Sequence, residues 1–87
     1  NVNENNGLNV AVYPNPAIGF ATVDFGSLQG EKTVRIMDLT GKLVYEGYSS
    51  EQKLNVELNV ASGFYQVVVS TADQIIRLNE RLMVKGY

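Results

Sequence analysis

Arg77, Arg81 and Lys85 recur at every fourth position near the end of the chain. On an extended strand, positions an even number apart share a face. The three cations would then form a basic stripe suited to an acidic receptor surface. Charge on an edge strand also discourages unwanted pairing, and both roles stay open. Asp38 with Gly41-Lys42 has residue types found in phosphate and metal sites. A phosphate loop, however, needs more glycines at fixed spacing and a following helix, and a hairpin turn explains the segment better. Asp24, Asp38 and Asp73 would make a calcium site only if separate loops converged, because no Asp-x-Asp spacing occurs. Solvated loop acids are the expectation, and Asp24 with Glu80 as an acid/base pair has no further support. Tyr13, Tyr45, Tyr48, Phe64 and Tyr65 could stack on sugars. They fall on different segments and Trp is absent, so core packing and cross-strand pairing are expected instead.

His and Cys are both missing. The commonest general base, the thiolate nucleophile and any disulfide framework go with them. No Ser-centred or Gly-rich catalytic signature occurs. An enzyme is accordingly the weakest reading, with only an unmotivated Ser-Lys or carboxylate site left to it, and no cofactor or metal site is expected.

Positioning any functional face takes a folded core. With 87 residues the chain fits one domain, which would bury roughly 60–65% of its unfolded surface. Hydrophobic residues make up 45% and charged residues 18%, a composition that folds. The net charge of −2 supplies no field for nucleic acid and no polybasic tract for an anionic membrane. No apolar run approaches the ~20 residues of a membrane helix, so direct membrane insertion is not expected. The chain begins at Asn1, not Met, and reads as a piece of something longer or a processed product.

Residues 1–7 are polar and Asn-rich, like the end of a linker, and 8–87 form the domain. Short apolar segments separated by turn residues follow. Strands are expected at 8–13, 20–25, 33–38, 43–48, 53–59 and 64–70. Pro14-Asn15-Pro16 ends the first by removing two backbone donors. Asp38 to Lys42 is a hairpin turn in which Gly41 takes a left-handed conformation. Leu54, Val56 and Leu58 alternate with Lys53, Asn55, Glu57 and Asn59 without a break. Gln74 to Val84 fits a helical stripe through Ile75, Leu78 and Leu82. As a strand it puts Ile76, Leu78, Leu82 and Val84 on one face, with a bulge near Asn79-Glu80 absorbing the exception. The hairpin-like Thr71-Ala72-Asp73-Gln74 favours the strand. Seven half-apolar strands bury best as two facing sheets: an all-β, seven-stranded antiparallel immunoglobulin-like sandwich. Its expected core is Val10, Val12, Val23, Val34, Ile36, Val44, Leu54, Val56, Leu58, Tyr65, Val67, Val69, Leu78, Leu82 and Val84.

The order of these motifs resembles the type A C-terminal sorting domain of the type IX (Por) secretion system of Bacteroidota, from about Leu8 to Lys85. Val10 to Ala17 looks like that family's opening strand and Pro-Asn-Pro turn. Met37 to Val44 looks like its Asp-x-x-Gly-Lys hairpin. Leu58 to Val67 resembles its Ser-Gly-x-Tyr turn and strand, and Arg81 to Lys85 its closing basic and apolar strand. The resemblance implies sorting-motif and turn roles for Pro14, Asn15, Pro16, Asp38, Gly41, Lys42, Gly63 and Tyr65. It also marks Arg77, Arg81, Val84 and Lys85 as candidate receptor-docking residues. It implies an export address for an attached cargo, recognised in the periplasm by a shuttle protein and an outer-membrane translocon. A surface sortase then removes it, leaving the cargo secreted or on the cell surface. An exposed last strand could also pair with a receptor strand or a second copy. The alternative from another class is a carbohydrate-binding or spacer module of a secreted bacterial enzyme.

Overall fold

The computed structural model describes residues 10–85; the linker end at 1–7, the start of the opening strand and Gly86-Tyr87 lie outside them. Among the described residues eight strands form: β1 (Ala11–Tyr13), β2 (Ala17–Ile18), β3 (Phe20–Asp24), β4 (Lys32–Asp38), β5 (Leu43–Ser49), β6 (Lys53–Glu57), β7 (Gly63–Thr71) and β8 (Ile76–Lys85). They build a three-stranded sheet ordered β1-β3-β6 and a five-stranded sheet ordered β2-β8-β7-β4-β5. The chain is therefore all-β with two sheets, as its alternation predicts. The described residues hold eight strands where seven were expected, because Ala17–Ile18 pairs with the end of β8. That pair is parallel, Ala17 against Val84 and Ile18 against Lys85, so the sheets are not uniformly antiparallel. Two residues are too few to carry an alternating pattern, which is why periodicity passes over β2.

Inward side chains of both sheets meet in one cluster. Val12, Ala21, Val23 and Val56 come from the smaller sheet, and Val34, Ile36, Val67, Val69, Leu82 and Val84 from the larger. Each full burial of such a side chain is worth about 1.5–3 kcal/mol. Every expected core residue is in this cluster or against it, with Val10, Val44, Leu54 and Leu78 half-buried at its margin. Ala17, Ala21 and Phe25 join it unforeseen, and so does Lys32, which is only 1% exposed. Its stem lies in the core face of β4 and its Nζ sits 4.7 Å from the centre of the Phe25 ring, which offers the cation a π-face in place of water.

The hairpin between β4 and β5 closes as expected. Asp38 Oδ1 accepts from the N–H of Thr40 at 2.9 Å, the Thr40 hydroxyl at 2.6 Å and the N–H of Lys42 at 3.0 Å. Gly41 has φ of 89°, a region closed to β-branched residues. Gly41→Val should therefore cost more than about 1 kcal/mol. A thermal melt indistinguishable from that of the parent chain would show that the turn can be rebuilt with ordinary angles.

The last segment is a strand, not a helix, paired with β7 from Gly63–Val84 to Ser70–Ile76. The bulge lies elsewhere than expected. Pairing runs without interruption through Asn79 and Glu80, and the register shifts instead at Arg77, between the Val69–Leu78 and Ser70–Ile76 pairs. The extra residue turns Ile76 off the core face, and it is 57% exposed. Glu80 stays opposite buried Val67, half-buried itself.

Candidate functional site

The motif residues are far apart in sequence, and strand register brings most of them to one end of the five-stranded sheet. Asp38 opposes Tyr65, Tyr65 opposes Leu82, Gly63 opposes Val84, and Val84 opposes Ala17. The Asp38–Lys42 turn, the start of β7, the end of β8 and the Pro14-Asn15-Pro16 turn thus share that end. Arg77 does not. It sits at the opposite end, where Nε donates to the Thr71 hydroxyl at 3.1 Å and a terminal nitrogen meets Asp73 Oδ2 at 3.2 Å. The basic stripe is accordingly split, with Arg81 and Lys85 exposed at the motif end and Arg77 tied into its own hairpin.

Asn15 connects the opening turn to the closing strand. Its Nδ2 donates to the Arg81 carbonyl at 3.3 Å, and its Oδ1 accepts from the Met83 N–H at 3.1 Å. A carboxamide has the same donor and acceptor as a peptide group. It therefore occupies the ladder positions just before the Ala17–Val84 pair, as a strand would. Both flanking bonds, Tyr13–Pro14 and Asn15–Pro16, are cis. The turn blunts a sheet edge, as expected of two prolines, and the edge is that of β8. Among the described residues only the two-residue β2 pairs along that side of β8, at Val84 and Lys85.

Tyr65 is buried and its hydroxyl donates to the Ala61 carbonyl at 2.6 Å, which pins the 58–63 turn to β7. Val84 is 1% exposed. Burial removes it from the docking face, for the same reason that it anchors β8. Phe64 and Met83 are cross-strand partners beside Arg81, while Leu39 and Leu43 flank the exposed Lys42 in its turn, and all four are 40% exposed or more. The Arg81 guanidinium stands 5.5 Å over the Phe64 ring. This apolar, basic surface has no counterpart in the periodicity, which treats outward positions as interchangeable.

The acids spend their oxygens locally. Asp24 accepts from the Gly26 N–H at 2.9 Å, and Asp73 caps its hairpin through the Ile75 N–H at 3.1 Å and the Thr71 hydroxyl. Among the described residues no three acids gather as metal ligands. The Thr40 hydroxyl first, then the Lys42 N–H, hold the Asp38 carboxyl below its ordinary value of 3.8. The Thr71 hydroxyl, then the Ile75 N–H, with Arg77 adding its charge, do the same for Asp73. A carboxyl whose pKa is lower folded than unfolded stabilises fully above the unfolded value. It loses that contribution as pH falls through the folded one. The melting temperature should thus begin to fall once pH drops below 3.8. Asp38→Asn with Asp73→Asn should flatten that decline in melts recorded from about pH 5 to about pH 2. An acid limb unchanged in the double variant would assign it to other carboxyls.

Residues 11–85 match the sequence profile of the secretion system C-terminal sorting domain. The chain is 36% identical over 66 residues to ulvan lyase NLR42 of Nonlabens ulvanivorans, covering 74% of this chain and 12% of that enzyme. Among solved structures it is similar to PorZ, described as an essential bacterial surface component of the type-IX secretion system of Porphyromonas gingivalis. The TM-score there is 0.74 at 30% identity, over 87% of this chain and 11% of PorZ. The chain thus spans about an eighth of the one relative and a ninth of the other.

Proposed function

The chain belongs to the secretion system C-terminal sorting domain family, and from that membership we propose how it serves as an export address. Such domains mark proteins for passage by the type IX system across the outer membrane to the cell surface or exterior. The address is read at the motif end of the five-stranded sheet, and one observation carries this reading. Turn and strand motifs from all along the chain converge there around exposed Arg81 and Lys85. Asn15, Asp38, Gly41, Gly63 and Tyr65 shape that end, and Lys42, Arg81 and Lys85 face the receptor. A partner with acidic and apolar groups complements the cations and the exposed Leu39, Leu43, Phe64 and Met83. Translocon, shuttle protein and sortase are the partners in this reading. The domain runs over 8–87 and is itself non-catalytic, and a surface sortase removes it after passage. What supports an immunoglobulin-like description of the two sheets is Tyr65. Its hydroxyl bonds back to the chain just upstream, as the tyrosine corner of such sandwiches does. The side of β8 left open beyond Asn15 is where a second copy would pair.

The test is localisation of a fluorescent cargo fused to Asn1–Tyr87 in a host with a working type IX system. Appearance of the cargo outside the cell, and its retention when the domain is omitted, is the expected result. Retention of both forms would leave the domain as a binding or spacer module.

A further inference from the structure

The three-stranded sheet carries a second surface, built from residues outside the sorting motifs. Cross-strand partners share a face, and Phe20 opposes Glu57 while Thr22 opposes both Asn55 and Tyr13. Their neighbours Ala21, Val23 and Val56 fill the core, so this row points outward. Phe20 is 50% exposed and Tyr13 40%; core packing accounts for neither. Beside Phe20 opens a cleft of about 530 Å³ lined by Gly19, Phe20, Asn55, Val56, Glu57 and Asn59. Asn55, Glu57 and Asn59 are all exposed. The Thr22 hydroxyl donates to Asn55 Oδ1 at 2.7 Å, which fixes the amide and leaves its two N–H donors without a partner among the described residues.

We propose that this cleft binds a neutral glycan, one sugar ring stacked on Phe20 and its hydroxyls bonded to Glu57, Asn55 and Asn59. An aromatic face is electron-rich and attracts the polarised C–H groups of a pyranose. A carboxylate accepts from a pair of adjacent hydroxyls, and a carboxamide both donates and accepts. A floor that is apolar beside a wall of polar side chains matches a molecule that is apolar across its ring face and polar around its rim. The cleft has no cation among its lining residues, and Glu57 repels acidic sugars. Neutral chains are therefore selected over uronates or sulfated chains.

The experiment is an NMR titration of the 15N-labelled 87-residue chain with mannohexaose, cellohexaose and xylohexaose, and with tetragalacturonate as the acidic comparison. At least one neutral hexaose should shift the amides of Gly19, Phe20, Asn55 and Glu57 progressively, while tetragalacturonate leaves them in place. Phe20→Ser should weaken that binding about threefold to tenfold. Glu57→Gln, which keeps the shape of the cleft, should weaken it with an unchanged melting temperature. Silence with all three neutral sugars overturns the proposal. So does binding that survives Phe20→Ser and Glu57→Gln unaltered, or tighter binding of tetragalacturonate. Export of a fused cargo is read separately, so this reading and the sorting role can fail independently.

Discussion

Phe25→Ala should remove a large share of the stability of this domain. Phe25 is fully buried and stands where β3 leaves the smaller sheet. Its N–H donates to the Gln52 carbonyl at 2.8 Å, and its carbonyl accepts from the Leu28 N–H at 3.1 Å. The backbone at position 25 therefore cannot shift to close a gap without breaking the loop. Truncating such a ring costs about 3–5 kcal/mol, against a total of about 5–15 kcal/mol for a native domain. Lys32 makes the loss worse, because its buried ammonium rests on that ring and would face a void. At about 4–8 °C per kcal/mol for a domain of this size, calorimetry should show a drop of at least about 12 °C. Phe25→Leu keeps most of the volume and loses only the π-face. Its smaller drop sets an upper bound on the share owed to Lys32. A drop under about 4 °C for Phe25→Ala would mean that the core closes around the gap.

Phe25 also shows where sequence reasoning stops. The alternation at 53–59 is plain, although the strand itself ends at Glu57, and Leu54, Val56 and Leu58 land on the core side as expected. Phe25 and Lys32 share the core-side parity of Val23 and Val34, but they lie at strand margins, where the loop decides whether such a position is covered. Lys32 misleads further, since residue type predicts exposure while a neighbouring ring permits burial. Ala17 and Ala21 are too small to mark a core by hydrophobicity, yet both are essentially fully buried. Ile76 is the reverse case, an apolar residue on the right parity turned outward by a bulge one position away. At the functional end, Pro14-Asn15-Pro16 could be read as a turn. Its contacts with Arg81 and Met83, 66 and 68 residues away, depend on register that no local pattern contains.

Reversing the charge at the motif end should block export without unfolding the domain. Arg81 and Lys85 are exposed, and substitutions at such positions usually change stability by under about 0.5 kcal/mol. Removing the strand from Arg81 onward would not ask the same question. It takes away Leu82 and Val84, both 1% exposed, and strips β7 of its partner there, so lost export would follow from lost folding. Arg81→Glu with Lys85→Glu keeps those anchors and the Asn15 bonds, which use the Arg81 backbone. Like charges facing each other across an interface cost several kcal/mol. The exported fraction of a fused fluorescent cargo should then fall about tenfold or more, while the melting temperature of the purified chain stays near its original value. Arg77→Glu is the internal comparison. It sits at the far end of the sheet beside Asp73, so it should lower stability slightly and leave export alone. If Arg77→Glu blocks export as completely as the double variant, the receptor reads the whole face of β8. If neither does, the receptor contacts lie away from these cations, and the exposed apolar residues Leu39, Leu43, Phe64 and Met83 are the next to change.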